Sequence, residues 1–204
     1  MAGSKQHLSN QPLLRIQILD AARVIVVRDG FDALSMRKIA GVVGYSPASL
    51  YLHFASRDAI AHALCAEAHA QLLESLHALD GVIEPVERLK AMAHAYVTFG
   101  LTHPEVYRLI FMQNPAYTGA AFNDVTSAGE TVLSLLTGTL ASVDKPAARA
   151  ETLWAALHGI VSLSMMASTV FTVPTDTLID EMLDVYLPGK NKKRARRRPS
   201  ASAG

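Results

Sequence analysis

Cysteine is almost missing from this chain of 204 residues: Cys65 is the only one. A single thiol excludes an intramolecular disulfide and a Cys-rich zinc centre, and it suits a reducing compartment. No apolar stretch follows a basic start, so no secretory signal is expected and the expected location is cytoplasmic. Charge is also sparse, at 18% of residues against 50% hydrophobic, a balance that disordered chains lack. Runs of alternating β-branched residues bounded by hairpin turns are absent, which argues against a sheet. A Walker-type glycine loop and an H-E-x-x-H pair are absent too.

The charge that is present is unevenly placed. Residues 1–64 carry seven Lys/Arg against four Asp/Glu, residues 65–189 carry five against fourteen, and residues 190–204 carry seven against none. The net charge of +1 therefore hides a basic front, an acidic middle and a basic end. Such asymmetry suggests a polyanionic partner for the two ends only.

Punctuation and periodicity read as helices throughout. Leu14, Ile18, Ala21, Ala22 and Ile25 recur at helical spacing, and the first helix should stop near Gly30. Ser35 is a candidate N-cap for a short helix ended by Gly44, and Ser46-Pro47 opens another to about Phe54. Ser56 caps a long helix from Arg57 to about Leu79, and further helices are expected to begin near Pro85, Pro104, Thr118, Pro146 and Asp176. From Thr152 to Thr175 no residue is charged, a length that could span a bilayer. His158, Ser162, Ser164, Ser168, Thr169, Thr172 and the closing Pro174 instead suit a helix between a core and a subunit interface, and no membrane association is expected.

The segment Leu34–Phe54 encodes two short helices joined by a tight turn, with Gly44 where the backbone needs a positive φ. Leu50 and Phe54, four apart, can pack inward beside Ile39 and Ala40, which leaves Ser46, Ser49, Tyr51 and His53 outward. A short helix with an exposed N-terminus and small hydroxyls can enter a DNA major groove, where its N–H groups and hydroxyls meet phosphates.

From about Arg15 to about Ile60 the chain resembles the tetracycline-repressor-like (TetR) family of transcription regulators. The pieces are Ile18-Leu19-Asp20-Ala21-Ala22, Gly30-Phe31, Leu34 to Ala40, Gly44-Tyr45-Ser46-Pro47, Ser49 to Phe54 and Ser56-Arg57-Asp58, all in order. The resemblance implies an all-α fold of about nine helices. Its parts are a helix-turn-helix domain over residues 1–55, a linker helix over 56–80, and a ligand-binding and dimerisation domain over 81–189; the basic tail over 190–204, with nothing apolar to bury, is expected to be disordered on its composition. It places Tyr45, Ser46, Pro47, Ser49 and Tyr51 in the recognition helix and its lead-in. His53, Arg57, Ser35 and Arg37 match positions that grip the phosphate backbone. Arg57 stands where the family more often has lysine, which keeps the charge but alters its geometry.

Thr102-His103-Pro104-Glu105-Val106-Tyr107-Arg108-Leu109-Ile110-Phe111 and Leu153-Trp154-Ala155-Ala156-Leu157-His158-Gly159 resemble the branch of that family with a Trp-His-Gly signature. This resemblance implies a homodimer and a small-molecule effector. Physically, Trp154, His158, Val161 and Met165 share one helix face, while Ala155, Gly159 and Ser162 share another. The small-residue face is the candidate dimer seam. The first face, with Met92, Tyr96, Phe99, Tyr107, Phe111 and Met112, can line a site for an apolar ligand or simply fill a core.

Other readings stay open at this level. Ser35-Met36-Arg37-Lys38 has the S-x-x-K spacing of penicillin-recognising serine enzymes, but S-D-N and K-T-G are absent. His62, His69, His77 and His94 are scattered on helices without a carboxylate or cysteine partner at ligand spacing, so neither a metal nor a cofactor is expected. Cys65 can be a redox thiol or a small buried hydrophobe. The tail can add phosphate contacts or only solubility. The expected protein is not an enzyme but a repressor on a palindromic duplex, with an activator on the same scaffold as the alternative.

Overall fold

The computed structural model describes residues 3–113, 130–167 and 171–186, with side chains from Leu13 onward. Among the described residues there are nine α-helices and no strand, so the fold is all-α. The helices divide into two compact units, drawn from the described residues of Met1–Leu73 with His103–Thr131, and of Glu74–Thr102 with Val132–Gly204.

In the first unit, α1 (Gly3–Asp29) stops where Gly30 takes φ 81°, a conformation open to glycine at little cost. A 3₁₀ turn (Phe31–Ala33) leads to α2 (Met36–Val43), capped by Ser35, whose Oγ accepts the Lys38 N–H at 3.2 Å. Gly44 closes α2 in the left-handed region at φ 75°, with its N–H on the Ala40 carbonyl. Two residues on, Ser46 caps α3 (Pro47–Tyr51) by accepting the Ser49 N–H. The helix ends at Tyr51 rather than the expected Phe54, because the His53 N–H bonds the Leu50 carbonyl three residues back and tightens the exit into a turn.

Ile18, Ala22, Ile25, Leu34, Ile39 and Leu50 form the core of this unit, each at most 1% exposed. Removing the Leu50 side chain beyond Cβ would cost about 2–5 kcal/mol, since nothing else fills that space. α4 (Arg57–His77) starts at Ser56, whose Oγ accepts the Ala59 N–H at 3.1 Å, and ends two residues before the expected Leu79. α6 (Pro104–Arg108) packs on α1 and runs into one π-helical turn, Leu109–Gln113.

The second unit contains α5 (Pro85–Thr102), α7 (Val132–Thr139), α8 (Pro146–Met166) and α9 (Thr175–Tyr186). α5 packs against α7, α8 and α9, and α8 against α7 and α9. Their facing sides bury Leu89, Met92 and Tyr96 on α5, Leu153 and Leu157 on α8, and Leu183 on α9. An ion pair and a hydrogen bond tie α9 to α5: Lys90 reaches Asp180 at 3.3 Å, and His94 Nδ1 lies 3.1 Å from an Asp176 carboxylate oxygen. Arg149 donates to the carbonyls of Asp144 and Tyr186, both at 2.9 Å, which places a cation on the last carbonyl of α9.

α7 has no proline at its start, and it was not among the helices expected from the sequence. The helix expected near Thr118 lies outside the described residues. The uncharged stretch from Thr152 is divided between α8, which ends at Met166, and α9, which begins at Thr175. Among the described residues no helix is long and apolar enough to cross a membrane.

Candidate nucleic-acid interface

The outward face of α3 is built by what its inward face buries. Leu50 is fully buried and Phe54 is 4% exposed, which fixes the rotation of the short helix on α2. Tyr45, Ser46, Pro47 and Tyr51 are then solvent-facing, and Ser49 and His53 are half-buried beside them. The Ser46 and Ser49 hydroxyls lie 2.9 Å apart, so one donates to the other and both remain at the surface of the first turn. Ser35 and Arg37 are exposed at the start of α2, and Arg57 at the start of α4. All nine residues expected at a duplex are thus exposed or partly exposed within one unit.

The electrostatics narrow the set of free cations. Lys38 lies 2.7 Å from Asp29, which also accepts two bonds from Arg28 at 2.8 Å. Arg28 first, then Lys38, holds the Asp29 carboxyl well below the usual carboxylate range. Lys38 is therefore a paired cation, and Ser35 is occupied as a helix cap, an arrangement unlike a serine with an adjacent lysine base. Arg23 pairs with Asp20 and Glu67. Arg57 lies 3.5 Å from Asp58 and stacks its guanidinium 4.9 Å from the Phe31 ring centroid. Arg37 forms no ion pair among the described residues.

Two residues at this surface escaped the sequence reading. Arg15 sits on α1, yet its guanidinium carbon lies 4.1 Å over the Phe54 ring centroid and its Nη1 donates to the His53 carbonyl at 3.3 Å. The 38-residue separation left no local signal for that contact. Leu52 is 82% exposed just beyond α3, where hydrophobicity alone would have predicted burial.

The candidate effector residues are mostly buried. On α5, Met92, Tyr96 and Phe99 share a buried face, and the Met92 sulfur accepts from Thr139 Oγ1 at 3.5 Å. Tyr107 and Phe111 belong to the first unit, where their rings meet at 4.7 Å. Trp154 and His158 stack at 5.5 Å on α8, and His158 shares a 3.3 Å hydrogen bond with Ser162. Burial pushes the His158 imidazole below its ordinary pKa. Ser162, expected on the small-residue face, thus also touches the aromatic one. Met165 is half-buried, as is Gly159, while Ala155 is exposed. A Cβ added at Gly159 would meet nothing within 4 Å, and Leu163 and Met166 beside it are 43% and 74% exposed.

Two histidines do have carboxylate partners, contrary to expectation: His77 lies 3.2 Å from Asp80, and His94 meets Asp176 across two helices. The first pair was within reach of sequence spacing; the second required the fold. Among the described residues no group of three such side chains could hold a metal ion. Cys65 is buried, its thiol pushed up to about 12 by desolvation, so it behaves as a small hydrophobe. One turn along α4, His69 is fully buried with neither ring nitrogen hydrogen-bonded.

Known proteins with similar sequences and folds agree with this architecture. A family model described as bacterial regulatory proteins, tetR family, matches residues 18–64, and one described as tetracyclin repressor-like, C-terminal domain, matches residues 89–186. The HTH-type transcriptional regulator UidR of Escherichia coli K12 is 26% identical over 184 residues, spanning 74% of this chain and 94% of UidR. The fold is shared with FadR of Bacillus subtilis, solved in complex with stearoyl-CoA: TM-score 0.68, 17% identity, covering 85% of this chain and 98% of FadR. AibR, solved with isovaleryl coenzyme A and operator DNA, has a TM-score of 0.59 at 16% identity, covering 84% of this chain and 96% of AibR. Matched in chain order by a DNA-binding model and a regulatory-domain model, with a capped and solvent-facing α3 inside the first, this chain belongs to the TetR family of DNA-binding transcriptional regulators.

Proposed function

We propose that the protein is a homodimeric repressor that holds a palindromic operator and is released by a small, largely apolar effector. The observation that carries this reading is the outward α3, whose Ser46, Pro47 and Ser49 can reach base edges while Arg37, Tyr51, His53 and Arg57 take phosphates. Two such helices about 34–36 Å apart, or a multiple of that, would face half-sites one turn apart. The exposed Ala155, Leu163 and Met166 with the half-buried Gly159 and Ser162 on α8 support self-association, because small residues and open space at Gly159 let a second helix approach closely. Tyr96, Phe99, Trp154 and His158 offer an apolar lining with few polar groups, and the acyl-CoA ligands of FadR and AibR support an effector with a hydrophobic chain. The role is cytoplasmic and not enzymatic.

Release requires that the effector bind the DNA-free geometry more tightly than the DNA-bound one. α4 is the natural carrier, since its residues belong to both units. The test is enrichment of random duplexes on the full chain, followed by a shift assay with excess non-specific competitor. A two-fold symmetric sequence should be retained, then lost on addition of stearoyl-CoA or isovaleryl-CoA. Failure to enrich any sequence, or a strict monomer at micromolar concentration, overturns the reading; tighter binding with the effector assigns an activator instead.

A further inference from the structure

The positive excess of the first unit resolves to very few side chains. Asp20 and Glu67 neutralise Arg23, Asp29 serves Arg28 and Lys38, and Asp58 lies beside Arg57. Among the described residues only Arg15 and Arg37 are left as arginines of this unit's DNA-binding helices without a carboxylate. Arg37 matches a backbone-contact position of the family; Arg15 has no such assignment.

Arg15 is held in place without losing its charge. Phe54, 4% exposed and fixed in the core, forms a platform beneath the guanidinium, and the His53 carbonyl takes one N–H. A guanidinium has five N–H donors, so four are left for another acceptor on an exposed side chain. The stacking uses the face of the group and leaves its donor edge open, which is the geometry that meets phosphate oxygens in pairs. The site also adjoins His53, itself a candidate phosphate contact at the exit of α3.

We propose that Arg15 is a phosphodiester-binding residue of duplex DNA, pre-set by Phe54 and the His53 carbonyl so that it fixes the approach of α3 to the groove. This rests on the reading that α3 docks on DNA. The rival is a purely structural staple, in which Arg15 ties α1 to the turn after α3 and touches no nucleic acid.

Because phosphate binding is independent of sequence, the test needs no operator. A labelled random-sequence duplex of about three helical turns is titrated with the full chain between about 50 and 200 mM salt, and log affinity is plotted against log salt. Arg15→Gln should flatten the slope by about 0.9 per protomer and weaken binding several-fold at the lower salt, while Arg15→Lys keeps the parent slope. Arg15→Leu, which still covers Phe54, replaces the glutamine variant if that one melts below the assay temperature. An unchanged slope in the neutral variants, even with lower affinity, overturns the proposal in favour of the staple. If the parent chain itself shows no salt-dependent binding, the docking of α3 fails as well, so the two failures are distinguishable.

Discussion

Acidification below about pH 6.5 is expected to destabilise this fold, and His69 is the group that sets the sign. Its side chain is fully buried on α4, neither ring nitrogen has a partner, and burial alone lowers its pKa from the ordinary 6.5. In the unfolded chain the imidazole takes a proton near 6.5; in the folded chain it resists until lower pH. Between those two values the unfolded state binds more protons, so stability falls as pH falls. The loss reaches up to about 1.4 kcal/mol for each pH unit in that window, set against a total of about 5–15 kcal/mol for a domain.

His69→Leu removes the titrating group and two unsatisfied polar atoms while keeping an apolar side chain in the space. Leaving a buried polar group unpaired costs about 1–3 kcal/mol, so the variant should be more stable than the parent by about 1 kcal/mol at pH near 7.5. The advantage should widen at pH near 5.5, with the residual acid sensitivity assigned to His158, whose imidazole burial also lowers. Urea midpoints at both pH values, at constant slope, give the comparison. A variant less stable than the parent at neutral pH, with the same loss on acidification, would refute the reasoning, because it would mean that the imidazole has a partner in the folded state.

The remaining predictions concern the DNA-binding unit and the basic tail. Gly44→Ala should cost about 1–2 kcal/mol from the left-handed backbone alone, since a Cβ there meets nothing within 4 Å; an unchanged melting temperature would show that the turn relaxes freely. Arg57→Ala should weaken all duplexes alike, and a loss confined to one sequence would make Arg57 a base reader. Deleting residues 190–204 removes seven cations and should flatten the salt dependence of binding, whereas an unaltered slope would leave the tail a solubilising one.

Short-range chemistry was legible from residue order. Ser35, Gly44, Ser46 and Pro47 act within three or four residues of themselves, through caps and one positive φ, so their consequences could be read without knowing the fold. The burial of Leu50 and Phe54 followed likewise from a spacing of four, and with it the exposure of the candidate DNA-contacting face. The end of α3 was not legible, because the choice between another helical turn and the tightened exit at His53 depends on how Phe54 seats in the core.

Sequence by itself determined that the chain is helical, where most helices begin, and which residues of α2 and α3 face outward, because hydrogen-bond caps and helical periodicity are local. Tertiary structure alone decided which partner each polar side chain meets, placing Lys38 on Asp29, His94 beside Asp176 and Arg15, its charge uncancelled, on the ring of Phe54. It also decided that His69 is buried without a partner. Coulombic and desolvation energies depend on distance and surroundings in space, and chain order fixes neither.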